Sequence, residues 1–222
     1  MPSGMAKKPA KQKLPTANLE EIADSIRKTL SEKDLAREKA LRLCREVIRN
    51  SANTIRAVHR QEFDEAAGLL GQTRALLDEV NGTLAGHQDL FHTGLVHDSQ
   101  KEFAEASIHL SLVTGKPLPS PGELSVGLPA YMNGLGEAAG EMRRYVLDQL
   151  RTGEIAGCED KLAMMDDIYS VLVTVDFPDA LTGGLRRTTD MVRGVLERTR
   201  GDLTLAIQHR SLEEKLARLG HL

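Results

Sequence analysis

Between Ser31 and Gln208 the sequence alternates stretches whose apolar residues recur every three or four positions with short runs of Gly, Pro and Asn. That alternation leaves room for little except helices packed on helices. In the first stretch Leu35, Leu41, Ile48, Ile55 and Val58 fall near helical spacing, and Ser31 or Asp34 can cap a helix that runs to about Gln61. A second helix is expected from Phe63 to Val80, before the turn signal Asn81-Gly82, and a third from about His87 to Val113, stopped by Gly115 and Pro117. Leu118 to Gly127 reads as a loop. Pro129 suits the first turn of a fourth helix reaching Arg151, and a fifth spans about Glu159 to Asp176. A sixth runs from about Asp179 to Gln208, with Gly183 and Gly184 blurring its start, and Ser211 to Leu219 can add a turn or two.

Strand signals are thin: aromatics make up 3% of the 222 residues, there is no Trp, and the apolar residues are mostly Leu, Ala, Val and Ile. The expected fold is all-α, an antiparallel bundle of about six to seven helices in one domain, residues 18–222. Residues 1–17 carry Lys7, Lys8, Lys11 and Lys13 among Ala and Pro. They read as a disordered basic tail, either a solvated terminus or a weak arm for phosphates. The fifth helix is apolar on more than one side (Met164, Met165, Ile168, Val171, Leu172, Val175), so it is either central or covered by a partner subunit.

The net charge of -3 excludes a chain that is basic overall, so any nucleic-acid binding must come from local clustering of charge. Cys44 and Cys158 have neither metal-ligand spacing nor a disulfide framework, which makes a reducing, cytoplasmic setting the default. No apolar run is long enough for a bilayer, so no membrane partner is expected. Walker, Gly-x-Ser-x-Gly, His-Glu-x-x-His and Cys-x-x-Cys motifs are absent.

Three features remain that can carry chemistry. Arg42, Arg45, Arg49, Arg56 and Arg60 recur at three-, four- and seven-residue steps and share a side of the first helix, with His59 at the edge. Guanidinium groups in a row suit a phosphate backbone, although a solvated helix face would look the same. Glu102 and Glu105 stand three apart, on a face that continues through His109 and Leu112. Glu137 and Glu141 stand four apart in a segment with Gly134, Gly136 and Gly140, where glycine density calls for close approach of another helix or a ligand. Each pair can be an incidental surface pair. Facing each other, the four carboxylates make a hard-oxygen site for Mg²⁺ or Mn²⁺. A di-iron site of the Glu-x-x-His type is disfavoured, because no histidine has Glu three residues before it.

At these residues the chain resembles the translin and Trax superfamily, from about Asp34 to Leu212. The resemblance is carried by Thr54-Ile55-Arg56-Ala57-Val58-His59-Arg60, by Phe91-His92, by Glu102-Phe103-Ala104-Glu105-Ala106, and by Gly134 to Arg143, in which Gly140-Glu141-Met142-Arg143 matches a family-like stretch. It implies an all-helical subunit that assembles into a hollow octamer and encloses single-stranded RNA. Trax-like chains carry the acidic residues of a metal-dependent endoribonuclease; translin-like chains bind nucleic acid and lack the first glutamate pair. Glu102 and Glu105 fall where the Trax pattern has Glu-x-x-Glu, and Glu141 falls at its later catalytic Glu. Glu137 stands where that pattern has Asp, one methylene shorter.

The resemblance therefore implies a homo-oligomeric, Mg²⁺- or Mn²⁺-dependent single-strand endoribonuclease in which Glu102, Glu105, Glu137 and Glu141 hold the metal and carry catalysis. Arg42, Arg45, Arg49, Arg56, His59, Arg60 and His92 would bind RNA. His92 matches a histidine in a nucleic-acid-binding stretch of translin whose neighbouring basic positions are Gly94 and Val96 here. Single-stranded DNA stays open as a second ligand, since nothing visibly reads a 2′-hydroxyl. A non-catalytic nucleic-acid-binding protein is the alternative, and a structural helical scaffold is a third.

Overall fold

The computed structural model describes residue 16 and residues 18–91 and 93–219. The expected tail falls outside these residues except for Thr16, and His92 lies outside them too. Among the described residues there are nine helices and no strand: α1 Leu19–His59, α2 Phe63–Leu84, α3 Gln88–Phe91, α4 Gly94–Thr114, α5 Pro121–Leu124, α6 Leu128–Arg151, α7 Cys158–Thr174, α8 Asp179–Thr182 and α9 Leu185–Leu219. The all-α expectation holds, and six of the nine are long, matching the six read from periodicity.

The differences lie at the ends. Helix α1 starts at Leu19, a dozen residues before Ser31, because Leu19 to Lys33 contains neither Gly nor Pro and opens with Glu20 and Glu21, which suit a helix N-terminus. The expected third helix is split into α3 and α4, with Thr93 in an extended conformation at the break. Inside the expected loop, Ser120 and Glu123 form a reciprocal capping box around Pro121 and nucleate one turn. The expected sixth helix is divided where Gly183 and Gly184 take φ of 61° and 84°, and Ser211 onward continues α9 without a break.

The second half of α1 buries Leu43, Cys44, Val47, Ser51, Thr54, Ile55 and Val58 against α2 and α4. Its first half leaves Leu19, Ile22, Ile26, Leu30 and Leu35 exposed. Helices α4 and α6 pack on each other at the centre, with α1 and α2 on one side and α7 and α9 on the other. Val47, Leu77, Phe103, Ile108, Leu135, Leu172, Leu185 and Val192 fill the space between them. On α7, Met165, Ile168 and Leu172 are buried while Val171 and Val173 are half exposed, so the helix is covered on one face and open on the other.

The contact between α4 and α6 is tightest at Gly134. A Cβ there would lie 2.7 Å from the Lys101 carbonyl oxygen and 3.0 Å from Ala104 Cβ and Glu105 N. Gly136 meets Thr188 and Val192 of α9 in the same way, whereas a Cβ at Gly140 would meet nothing. Two of the three glycines thus permit helices to approach closely. Gly134 does so beside the segment that carries Glu102 and Glu105.

Candidate metal centre

Glu102 and Glu105 project from α4 toward α6, where Glu137 projects back. One carboxylate oxygen from each of the three lies within 4.8 Å of the others. Glu105 is buried, while Glu102 and Glu137 are partly open. Burial, and then the charges of Glu137, Glu102 and Glu141, push the Glu105 carboxyl up to about 9, with Lys101 opposing. A group of this kind either keeps its proton or needs a cation.

One cation is already present. The Lys101 ammonium donates to both carboxylate oxygens of Glu137 at 2.7 Å and lies 3.4 Å from Glu102 Oε1. Burial disfavours the charge on Lys101, but its hydrogen bond to Glu137 and the charges of Glu137 and Glu102 outweigh burial and raise its pKa. Sequence reasoning gave Lys101 no role. Its position next to Glu102 was the available signal.

Glu141, one turn along α6 from Glu137, joins a different group. His59, the last residue of α1, has Nε2 2.6 Å from Glu141 Oε2, and His109 of α4 completes a cluster whose ligand atoms also lie within 4.8 Å of one another. The hydrogen bond from His59 holds the Glu141 carboxyl below its ordinary range despite burial. Burial, helped by the charge of His59, pushes His109 down to about 3, so that it is a neutral imidazole at physiological pH. Arg144 Nη1 lies 3.7 Å from Glu141 Oε2. The four predicted glutamates therefore line one α4–α6 wall but divide three and one. His109 and Arg144, which sequence reasoning left without roles, stand beside the fourth.

The arginine stripe lies elsewhere on α1. Arg42, Arg45, Arg49, Arg56 and Arg60 are exposed, on the side opposite the buried row of Val47, Thr54 and Val58. Among the described residues Arg42, Arg45 and Arg49 form no ion pair; Arg56 bonds Asn53 at 2.9 Å, and Arg60 pairs with Glu62. No arginine of the stripe contacts a glutamate of the quartet; His59 is the only predicted basic residue that does, among the described residues. Beside the three-carboxylate cluster a cavity of about 570 Å³ has walls of mixed charge, with Lys101, His97 and Arg187 set among Glu137, Asp98 and Asp179. Its basic residues were not foreseen as a group, because Arg187 of α9 joins His97 and Lys101 of α4 only in the fold.

The donor set fits a divalent hard cation: three carboxylates converge, Glu137 among them lines the open cavity, and the most buried one, Glu105, is raised by burial and then by its neighbours' charges. Glu102, Glu105 and Glu137 would hold the ion, with Lys101 displaced from between them.

No protein-family model matches the chain. The chain is 33% identical over 192 residues, 86% of its length, to the uncharacterized protein MJ0175 of Methanocaldococcus jannaschii, of which it covers 85%. Among solved structures it is similar to AfC3PO in a duplex RNA complex (33% identity, TM-score 0.79, 85% of this chain and 97% of that one). The crystal structure of AfC3PO alone is similar to the same degree (32% identity, TM-score 0.79, 85% and 98%). Apo-NeC3PO shares the fold at 20% identity, with a TM-score of 0.71 over 87% of this chain and 98% of that one. With its helical architecture and these relatives, the chain belongs to the translin superfamily, the family of the C3PO proteins.

Proposed function

We propose that the protein is a metal-dependent endoribonuclease of Trax type that binds and cleaves single-stranded RNA within a homo-oligomeric shell. The observation that carries this reading is the convergence of Glu102, Glu105 and Glu137, in which the buried Glu105 carboxyl either keeps its proton or takes a cation, beside a cavity of mixed charge that includes Arg187, Lys101 and His97. Support for RNA as the ligand comes from the relative AfC3PO, which was solved in a duplex RNA complex. The half-exposed Val171 and Val173 and the uncovered leucines and isoleucines of α1 offer apolar area for other copies, consistent with an octamer.

A bound Mg²⁺ or Mn²⁺ supplies Lewis-acid stabilisation of phosphoryl oxygens and a water of lowered pKa. Glu102, Glu105 and Glu137 would hold it. Arg187 and His97, on the cavity wall, are placed to take backbone phosphates next to the carboxylates. Glu141, kept ionised by His59, can accept a proton from an attacking water. The exposed Arg42, Arg45, Arg49 and Arg56 would steer RNA over a longer path, with His59, Arg60 and His92 contributing at the margins.

A second reading, non-catalytic binding of single-stranded nucleic acid, is favoured by one observation: Lys101 already pairs with Glu137 and approaches Glu102, supplying a positive charge within the carboxylate cluster. Incubating labelled single-stranded and duplex RNA with the full chain in Mg²⁺, in Mn²⁺ and in EDTA separates the two. Cleavage of the single strand with metal and none in EDTA supports the nuclease. Binding without cleavage in every metal supports the second reading, and preferential cutting of duplex overturns single-strand specificity.

A further inference from the structure

We propose that His59, His109 and Glu141 form a second metal site, one that takes a divalent transition-metal ion of the Zn²⁺ or Fe²⁺ class, a helical turn away from the carboxylate cluster. His109 has no exposed surface, and both of its ring nitrogens lack a hydrogen-bond partner among the described residues. A buried imidazole in this state is costly unless something bonds it, because neutral imidazole always carries one donor and one acceptor. The groups nearest to it are a second imidazole, with ring centroids 5.1 Å apart, and a carboxylate. Tyr145 packs against both rings, 6.2 and 6.4 Å between centroids, and encloses the site on its apolar side.

Two nitrogens and one carboxylate oxygen form a ligand set that suits borderline transition metals, whereas Mg²⁺ prefers all-oxygen surroundings such as the neighbouring cluster. The three ligand atoms lie within 4.8 Å of one another, and a tetrahedral site with bonds of about 2.0–2.1 Å closes from there by side-chain rotations of about an ångström. Three protein ligands leave a position open.

A carboxylate of the kind that orients metal-bound histidines stands near His59, outside hydrogen-bond distance. With Nε2 on the Glu141 side, its Nδ1 faces Asp148, whose Oδ2 lies 3.9 Å away, and Nδ1 has no hydrogen bond among the described residues. His59 and Asp148 line an open cavity of about 250 Å³ with Gln61, Tyr145 and Glu154, which brings the His59 edge of the site to the surface. Among the described residues Arg144 is the arginine paired with Glu141, and its side chain, 58% exposed, can turn into solvent.

The proposal shares Glu141 and His59 with the nuclease reading, but its test is separate, because it reads metal binding without RNA. The test is calorimetric titration of the full chain with Zn²⁺ in excess Mg²⁺, which keeps the carboxylate cluster occupied, followed by zinc K-edge X-ray absorption on the loaded protein. The expected result is one tight Zn²⁺ site with imidazole ligands. His59→Gln should weaken it at least about 100-fold, Asp148→Asn by about 10- to 100-fold, and Glu102→Gln should leave it unchanged. His109→Gln should abolish it, but His59→Gln carries the test because His109 lies in the core. Absence of tight Zn²⁺ binding in the wild type, a bound Zn²⁺ without imidazole, or full affinity in His59→Gln would each overturn the site. A chain that binds Zn²⁺ in this way yet cuts no RNA keeps the site and loses the nuclease reading.

Discussion

The ammonium of Lys101 lies 2.7 Å from each carboxylate oxygen of Glu137, on the side where Glu102 also approaches. The carboxylate cluster thus carries its own counter-ion, and any divalent ion must compete with it. Lysine can do this reversibly: it is a compact charge on a flexible stem, and it leaves the site by rotation.

Removing that competitor has opposite effects on stability and on metal binding. Lys101→Met should lower the stability of the metal-free chain by on the order of 1–3 kcal/mol, since Glu137 and Glu102 lose their partner. The same variant should bind Mn²⁺ more tightly than wild type. Denaturant melts in EDTA and Mn²⁺ titrations give the two values; weaker Mn²⁺ binding would show that Lys101 supports the site and does not compete for it.

The close approach of α4 and α6 at Gly134 has a simple test. Gly134→Ala places a methyl against backbone atoms of Lys101 and Glu105. It should cost about 1–3 kcal/mol despite alanine's better helix propensity. Gly140→Ala meets nothing and should be neutral or stabilising. Thermal melts of both variants check the pair, and equal effects would contradict the packing described.

The metal-free chain should lose stability as pH rises from about 6.5 to 9. Glu105 keeps its proton in the fold up to about 9 but loses it near the ordinary carboxylate value when unfolded, so ionisation favours the unfolded chain across that interval. His109 acts in the reverse sense. Its folded value of about 3 lies below the ordinary 6.5, so its contribution is complete above 6.5 and is lost as pH falls toward 3. The two slopes, each up to about 1.4 kcal/mol per pH unit, oppose each other below 6.5 and leave Glu105 alone above it. Stability measured against pH in EDTA should fall above 6.5 for wild type and stay flat for Glu105→Gln.

The all-helical class and six long helices were legible because apolar spacing and breakers report local structure directly. The start of α1 was not, since Leu19 to Lys33 has neither breaker nor buried face to mark it. The glutamate pairs were legible from helical spacing, as was the meaning of Gly134. The division of the quartet was not: it depends on the end of α1 bringing His59 to Glu141, a contact between residues 82 positions apart. His109 was visible as part of the Glu105 face, but its burial and unpaired nitrogens depend on α1 and α6 closing over it. The grouping of His97 and Lys101 with Arg187 at one cavity was hidden for the same reason.

The exposed arginines of α1 make a separate prediction. Arg49→Ala with Arg56→Ala should weaken RNA binding and reduce the magnitude of its log–log salt slope by up to about 1.4 for a single strand. Affinity measured over a range of KCl concentrations reads this directly. An unchanged slope removes the stripe from the RNA surface and leaves Arg187, His97 and Arg144 as the candidates.

The central claim is that the α4–α6 carboxylates perform metal-dependent RNA cleavage, and the most direct measurement compares wild type with Glu105→Gln on one labelled single-stranded RNA. Cleavage and binding are followed together in Mg²⁺, in Mn²⁺ and in EDTA, with far-UV circular dichroism confirming the fold of the variant. The account predicts cleavage by wild type in metal only, no cleavage by the variant, and similar RNA affinity for both. Cleavage by Glu105→Gln at the wild-type rate, or wild-type cleavage that persists in EDTA, would contradict it.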